Sequence, residues 1–377
     1  MRKTLTLASL AAALTVVGCA NTSGNTAVTC SAVTATDSEP SQNWQGTVFT
    51  IVMENKSQGD ILGNKDAPFI NSLASQNAVA AGYRDNLVHP SEPNYIWMVA
   101  GENFGVLDDD APSSHHLDST SHIADQLEAA GLTWKEYAES MGGPCGVDSK
   151  YPYEPKHDPF VYFNDINGWD GSAFHPEARC NEHVVDYSQL DADLQANQLP
   201  KYVFITPNMI HDMHDGSIAD GDKWLSQEVP KILASDAFNN GGVLFLTWDE
   251  GGGYPQSDDP PMIVVSPHAK RGYVSQTSYN ASSYLKTVQT ILGLQSLPCD
   301  PQSDGVQTMD DLFDVSITPS KKGTTGGGTS GGTTPTSGGT TTPTSGGTTT
   351  PTSGGTTTPT SGGTTPSSGG TTPPAGG

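Results

Sequence analysis

Three short apolar runs limit the folds open to this chain more than any other feature. Residues 48–53, 202–206 and 243–248 are almost unbroken runs of apolar side chains, many of them β-branched or aromatic. A strand with one wet face alternates polar and apolar side chains, whereas an unbroken apolar strand is covered on both faces. A fourth run, 262–265, has the same character. Between the runs lie stretches with helical spacing: 68–79, with Phe69, Ile70, Leu73 and Ala74 on one face, then 122–130, 224–233 with Pro230 near its end, and 279–292. Apolar strands separated by helices predict an α/β fold, a single domain with a central, mostly parallel sheet flanked by helices.

In such sheets functional groups gather where the strands end. The first run ends in Glu54-Asn55, the second near Asn208, His211, Asp212, His214 and Asp215, and the third in Asp249-Glu250 ahead of three glycines. Carboxylates gathered at one sheet edge repel each other unless a cation sits between them. Oxygen donors of this kind suit Mg, Ca or Mn better than thiolate-loving metals. On position alone the same acids serve equally well as loop caps. Ser91 lies just ahead of an expected helix that Pro93 opens and that runs to Ala100. A helix start receives phosphate readily, but a serine there also caps, and spacing alone favours capping. Residues 206–216 place two histidines and two aspartates within five positions, a set able to bind a metal, orient a phosphate or protonate a leaving group. Lys156-His157-Asp158-Pro159-Phe160 reads either as part of a lid or as a surface excursion.

The ends of the 377-residue chain stand apart from this core. Arg2 and Lys3 precede an apolar run that is too short to span a bilayer and matches an export signal. The run ends in Val16-Val17-Gly18-Cys19, which resembles a bacterial lipobox. Residues 1–18 are therefore expected to be a lipoprotein signal and 19–43 a polar linker. Cys19 would be the lipid anchor of an exported protein of the bacterial cell envelope or surface. Residues 44–317 form the folded domain. From 318 to 377 the chain is a Gly/Thr/Ser/Pro tail, with an eight-residue repeat marked by Pro335, Pro343, Pro351 and Pro359. It offers almost nothing apolar to bury and is expected to stay disordered. Its Gly328-Thr329-Ser330-Gly331-Gly332 lacks the strand and helix that a G-x-S-x-G nucleophile elbow requires. Export favours disulfides, and Cys30, Cys145, Cys180 and Cys299 allow three pairings, among which proximity in sequence favours Cys145 with Cys180 and so Cys30 with Cys299. With 41 acidic against 17 basic side chains, the chain is ill suited to a nucleic-acid backbone. A phosphorylated substrate stays open, because a bound metal reverses the local field.

Together, Met53-Glu54-Asn55-Lys56-Ser57, His89-Pro90-Ser91-Glu92-Pro93-Asn94-Tyr95, Lys156–Phe160, Thr206-Pro207-Asn208 with Asp212–Gly216, and Thr247–Gly252 resemble, in order, the phosphoesterase family of secreted bacterial and fungal acid phosphatases and phospholipases C. That family belongs to the alkaline-phosphatase-like superfamily. The resemblance implies a single divalent ion (Mg, Ca, Mn or Zn) held by Glu54, Asn55, Ser91, Asp249 and Glu250. It implies Ser91 as nucleophile through a phosphoseryl intermediate, and His157 or His214 as proton donor. Asn94, His157 and His214 match family positions near the phosphoryl group, and Asn94, His211, Asp212 and Asp215 are the candidate substrate-binding residues. His211 stands where relatives usually carry Asn, so its role is open. The implied substrate is a phosphorylated small molecule or lipid headgroup. Phosphomonoesterase action, with phosphoinositides among the candidates, comes ahead of phospholipase C-type diesterase action, because the chain lacks the added β-domains of those members. A surface lipoprotein that binds such a ligand without turnover is the reading of a different class.

Overall fold

The computed structural model describes residues 38–176, 179–252, 259–297 and 305–321, all within one compact unit. Cys19, Cys30, Cys299, the signal segment and the repeat tail lie outside the described residues. Eight strands form one sheet: β1 (Val48–Met53), β2 (Ala78–Ala80), β3 (Trp134–Ala138), β4 (Val184–Asp186), β5 (Tyr202–Thr206), β6 (Val243–Trp248), β7 (Met262–Val265) and β8 (Tyr273–Ser275). Their order across the sheet is β4-β3-β5-β1-β6-β7-β2-β8.

β1 lies at the centre and runs parallel to both neighbours, with Val48 opposite Tyr202 on one side and Val243 on the other. Every residue of β1, β5 and β6 is buried. Alternate side chains feed two cores. Val48 and Val52 pack with Phe204, Phe245 and Tyr284 on one face, and Phe49, Ile51 and Met53 pack with Trp224 and Leu225 on the other. Each such aliphatic or aromatic side chain, fully buried, contributes about 1.5–3 kcal/mol. β7 runs antiparallel to both β6 and β2, so the sheet is mostly parallel with one reversed strand. Apolar composition reports that both faces are covered, not which way a strand points.

The flanking helices are α1 (Pro68–Gln76), α2 (Ser91–Ala100), α3 (Ile123–Ala129), α4 (Ile218–Leu233) and α5 (Ala281–Leu292). The helical pattern read over 68–79 stops at Gln76, and Ala78–Ala80 instead pairs with β7 and β8. Alanine and valine satisfy either period, and sheet pairing decides. α4 begins at Ile218, well before the apolar face at Trp224, because Ser217 caps it and Asp220 completes the capping box. Cys145 and Cys180 form the disulfide expected from their proximity, with Cα atoms 5.4 Å apart.

β3 carries Lys135 and Glu136 and so has no clean strand pattern, yet Glu136 is fully buried beside the equally buried Asp158. Glu136 Oε2 and Asp158 Oδ1 take no hydrogen bond, while Tyr153 donates to Asp158 Oδ2 at 2.9 Å. Burial pushes Asp158 up from 3.8 to about 6. Burial, with Asp158 alongside, pushes Glu136 well above its ordinary range. The folded chain therefore keeps protons that the unfolded chain has released. That stability is complete below the unfolded carboxyl range, about pH 4, and is lost as pH rises through the folded values. Glu136→Gln is expected to flatten the fall of the thermal midpoint between about pH 4 and 7. Parallel curves for the two proteins would show that the pair does not drive it.

Candidate active site

The site stands at the carboxyl ends of the three central strands. Because Met53 pairs with Trp248, the residues that follow, Glu54 and Asp249, leave the sheet side by side. Asn55 holds a left-handed backbone, with φ 51°, that asparagine tolerates better than most residues. Its amide donates to Asp249 Oδ1 at 3.1 Å. The next strand over closes the third side, where the Glu54 amide donates to the Asp212 carbonyl at 2.8 Å.

Ser91 is the first residue of α2 and does not cap it. Pro90 occupies the cap position, without a side-chain bond. The Ser91 hydroxyl donates instead to Glu54 Oε2 at 2.9 Å, and both residues are buried. A capping serine would turn its oxygen onto the helix's own amides, so this orientation sets the capping reading aside. Asn94, one turn on, donates to the Val88 carbonyl at 2.6 Å, the Pro90 carbonyl at 3.2 Å and Glu250 Oε2 at 3.3 Å. The same Glu250 oxygen faces His89 Nδ1. Glu250 thus braces the loop that delivers Ser91, while Asp249 faces Asn55.

Lys156 and His157 arrive on the loop enclosed by the disulfide, anchored where Thr206 Oγ1 donates to the His157 carbonyl at 3.0 Å. The His157 ring is buried between two acids, Nε2 at 3.3 Å from Glu54 Oε1 and Nδ1 at 3.3 Å from Asp212 Oδ2. Tyr95 stacks on it at 5.2 Å. Burial, reinforced by Lys156, holds His157 well below its ordinary range, so it is neutral. His214 lies 5.8 Å from the His157 ring, and its side chain is 27% exposed. Its Nδ1 pairs with Asp215 Oδ1 at 2.8 Å, which leaves Nε2 on the far side of the ring. His211 turns away to Glu139, 2.9 Å from both carboxylate oxygens, and to the Trp224 ring. Glu139 raises its affinity for a proton.

Burial pushes the carboxyls of this cluster upward. It raises Glu54 well above its range, helped by Asp249 and Asp212, and raises Asp249, helped by Glu250. Asp212 rises to about 7 and Glu250 to about 8, again chiefly through burial. Three oxygens from three residues, Glu54 Oε1, Asn55 Oδ1 and Asp249 Oδ2, are buried without a hydrogen bond. Buried polar atoms are nearly always satisfied, so three orphans in one cluster call for a partner. A divalent cation among them would be one such partner and would relieve the repulsion, and oxygen donors of this kind suit one.

His89 and Lys156 sit within the motifs read from the sequence, but no role was assigned to either. Lys156 reaches Asp109 Oδ2 at 2.9 Å, and Asp109 Oδ1 accepts the Glu92 amide at 2.9 Å. Loop residues with no periodic pattern gave no signal for Asp109.

Residues 43–295 match the model of the phosphoesterase family. Over 251 residues the chain is 34% identical to a phosphatidylinositol-3-phosphatase of Mycobacterium tuberculosis, covering 66% of this chain and 77% of that one. An acid phosphatase of Aspergillus fumigatus is 28% identical over 273 residues, covering 68% of this chain but 58% of its own length. A solved Bacteroides thetaiotaomicron structure from a glycosaminoglycan-metabolism locus shares the fold with a TM-score of 0.51 at 10% identity, covering 73% of this chain and 83% of that one. With two thirds of its length in the family match, the chain belongs to the phosphoesterase family, hydrolases of phosphoric esters.

Proposed function

We propose that the protein is a metal-dependent phosphomonoesterase of the acid phosphatase type, with Ser91 as nucleophile. The observation that carries this reading is the Ser91 hydroxyl, buried at the start of α2 and directed at Glu54 among unsatisfied oxygens. Glu54, Asn55, Asp249 and Ser91 would hold one divalent ion, with Glu250 next to them. When bound, that ion supplies charge stabilisation at the phosphoryl oxygens and favours the ionised hydroxyl.

The chain's own residues account for the rest. The Ser91 Oγ–H proton passes to Glu54 Oε2, 2.9 Å away, as Oγ attacks phosphorus. The bond from phosphorus to the leaving oxygen breaks, and that oxygen takes a proton from His214, whose Nδ1 is held by Asp215 at 2.8 Å. Water then attacks phosphorus and gives a proton to His214, and as the phosphorus–Oγ bond breaks, Ser91 Oγ takes its proton back from Glu54. His157, buried and neutral, holds Glu54 and Asp212 in place, and His214 has the exposure that a proton donor needs. The substrate is a phosphorylated small molecule or lipid headgroup, in keeping with the named activities of the two relatives.

Release of nitrophenol from an aryl phosphate monoester, compared with the corresponding diester and with a chelated sample, tests the reading. The monoester is expected to turn over faster and to depend on the ion. Faster diester cleavage would instead favour the phospholipase C type, and no release from either would leave a binding protein. Anchoring through Cys19 belongs to the same proposal. Cys19→Ser is expected to move the chain out of the membrane fraction, and retention there would exclude the anchor.

A further inference from the structure

A second group of metal-type side chains lies in the loop that follows α2. One ligand atom each from Asp108, Asp110 and His115 falls within 4.8 Å of the others. His115 Nε2 is 3.1 Å from Asp108 Oδ1. Two atoms each about 2.1 Å from one ion and roughly at right angles are themselves about 3.0 Å apart, so this spacing suits neighbouring ligands of a single cation. The Asp110 amide donates to Asp108 Oδ1 at 3.1 Å, which folds the two aspartates into one turn.

The other side of the His115 ring provides an independent observation. Its Nδ1 is 2.6 Å from Oε1 of Glu92, a carboxylate with no exposed surface. Glu92 Oε2 is buried without a hydrogen bond. The Tyr162 hydroxyl lies beside this carboxylate but donates to the Asp110 carbonyl at 3.2 Å. A carboxylate that fixes one imidazole nitrogen while the other faces acids is the arrangement by which proteins orient a metal-bound histidine.

Among the described residues a further cluster of this kind provides a contrast. His122, Asp125 and Asp165 also converge, but Arg179 already supplies the positive charge, reaching Asp165 Oδ2 at 2.5 Å and pairing with Asp125. At the Asp108 loop the nearby lysine, Lys156, is engaged by Asp109.

We propose that Asp108, Asp110 and His115, oriented by Glu92, form a second divalent-cation site beside the Ser91 centre. One imidazole with two carboxylates suits a first-row ion such as Mn2+ or Zn2+ better than Ca2+ or Mg2+. Binding there neutralises the loop on either side of Asp109, which bonds both Lys156 and the Glu92 amide. The second ion would thereby fix the loop that holds Lys156 beside the catalytic carboxylates.

The test is a count of ions. The full chain is stripped with chelator and dialysed against Mn2+ alone, then against Zn2+ alone, and bound metal per chain is measured. Asp108→Asn with Asp110→Asn is expected to bind one ion fewer than the natural chain, and Asp249→Asn one fewer for its own separate reason. Failure of the catalytic reading would remove only the second difference, so the two outcomes are distinguishable. Glu92→Gln keeps the shape of the side chain and is expected to weaken the loop site about 10–100-fold. Mn2+ should also broaden the His115 imidazole resonances in the Asp249→Asn chain. Equal stoichiometry in the loop variant and the natural chain, or unbroadened His115 signals, would overturn the proposal.

Discussion

Ser91→Ala is expected to lower turnover of an aryl phosphate by about 10⁴-fold or more while the protein remains folded. The substitution removes one hydroxyl whose bond is to Glu54 at 2.9 Å, and it takes no cap from α2, because Pro90 holds that position. Losing one hydrogen bond to a charged group costs about 1.5–3 kcal/mol at most, and alanine at a first-turn position costs the helix little. Activity and stability should therefore separate widely. Purified Ser91→Ala with a thermal midpoint near that of the natural chain and turnover reduced to background would fit a nucleophile. Near-normal turnover in the folded variant would remove Ser91 from the mechanism. A parallel fall of both quantities would point to a packing role.

Removing the divalent ion is expected to abolish activity nearly completely and to lower the thermal midpoint as well. Both effects have the same origin: Glu54 and Asp249 are fully buried side by side, with Asp212 close to Glu54. With the ion present their charges would be neutralised, and without it they either repel in a low dielectric or take up protons, which costs stability above the ordinary carboxyl range. Asp249→Asn should therefore act in opposite directions on two measurements. It weakens ion binding and turnover, because a charged ligand is lost. It also raises the midpoint of the stripped protein relative to the stripped natural chain, because one of the repelling charges is gone. Titration of stripped samples with Mn2+ or Mg2+, followed by thermal unfolding, separates the two. An Asp249→Asn chain stabilised by the ion as strongly as the natural chain would show that Asp249 is not a ligand. Full activity in a sample verified as metal-free would rule out the proposed mechanism altogether.

Parts of the site differ in how far the sequence alone reveals them, and the reason is distance along the chain. Glu54, Asn55, Asp249 and Glu250 are legible because each directly follows an apolar run, and in a sheet of this type that position points to the functional edge. Ser91 is placed near a helix start, but whether its hydroxyl caps the helix or faces the site depends on Glu54, 37 residues away in sequence. His157 and His214 read alike as motif histidines. The structure distinguishes them by burying one between two acids and leaving the other exposed. His211 gives no hint of Glu139 in its own neighbourhood, because that contact spans 72 residues.

By itself the sequence determined the central strands to the residue, the α/β class and the sheet edge at which the motif residues gather. These follow from local periodicity, since an unbroken apolar strand must be covered on both faces. It determined neither the reversed direction of β7 nor the strand at Ala78–Ala80, because both rest on pairing with distant partners that leaves no local pattern. Nor did it determine β3, whose fully buried Glu136 breaks the apolar pattern that marks a buried strand. Which acids stand together without partners was decided by tertiary structure alone. Desolvation and repulsion depend on through-space distance and burial, and neither quantity is written in the order of residues.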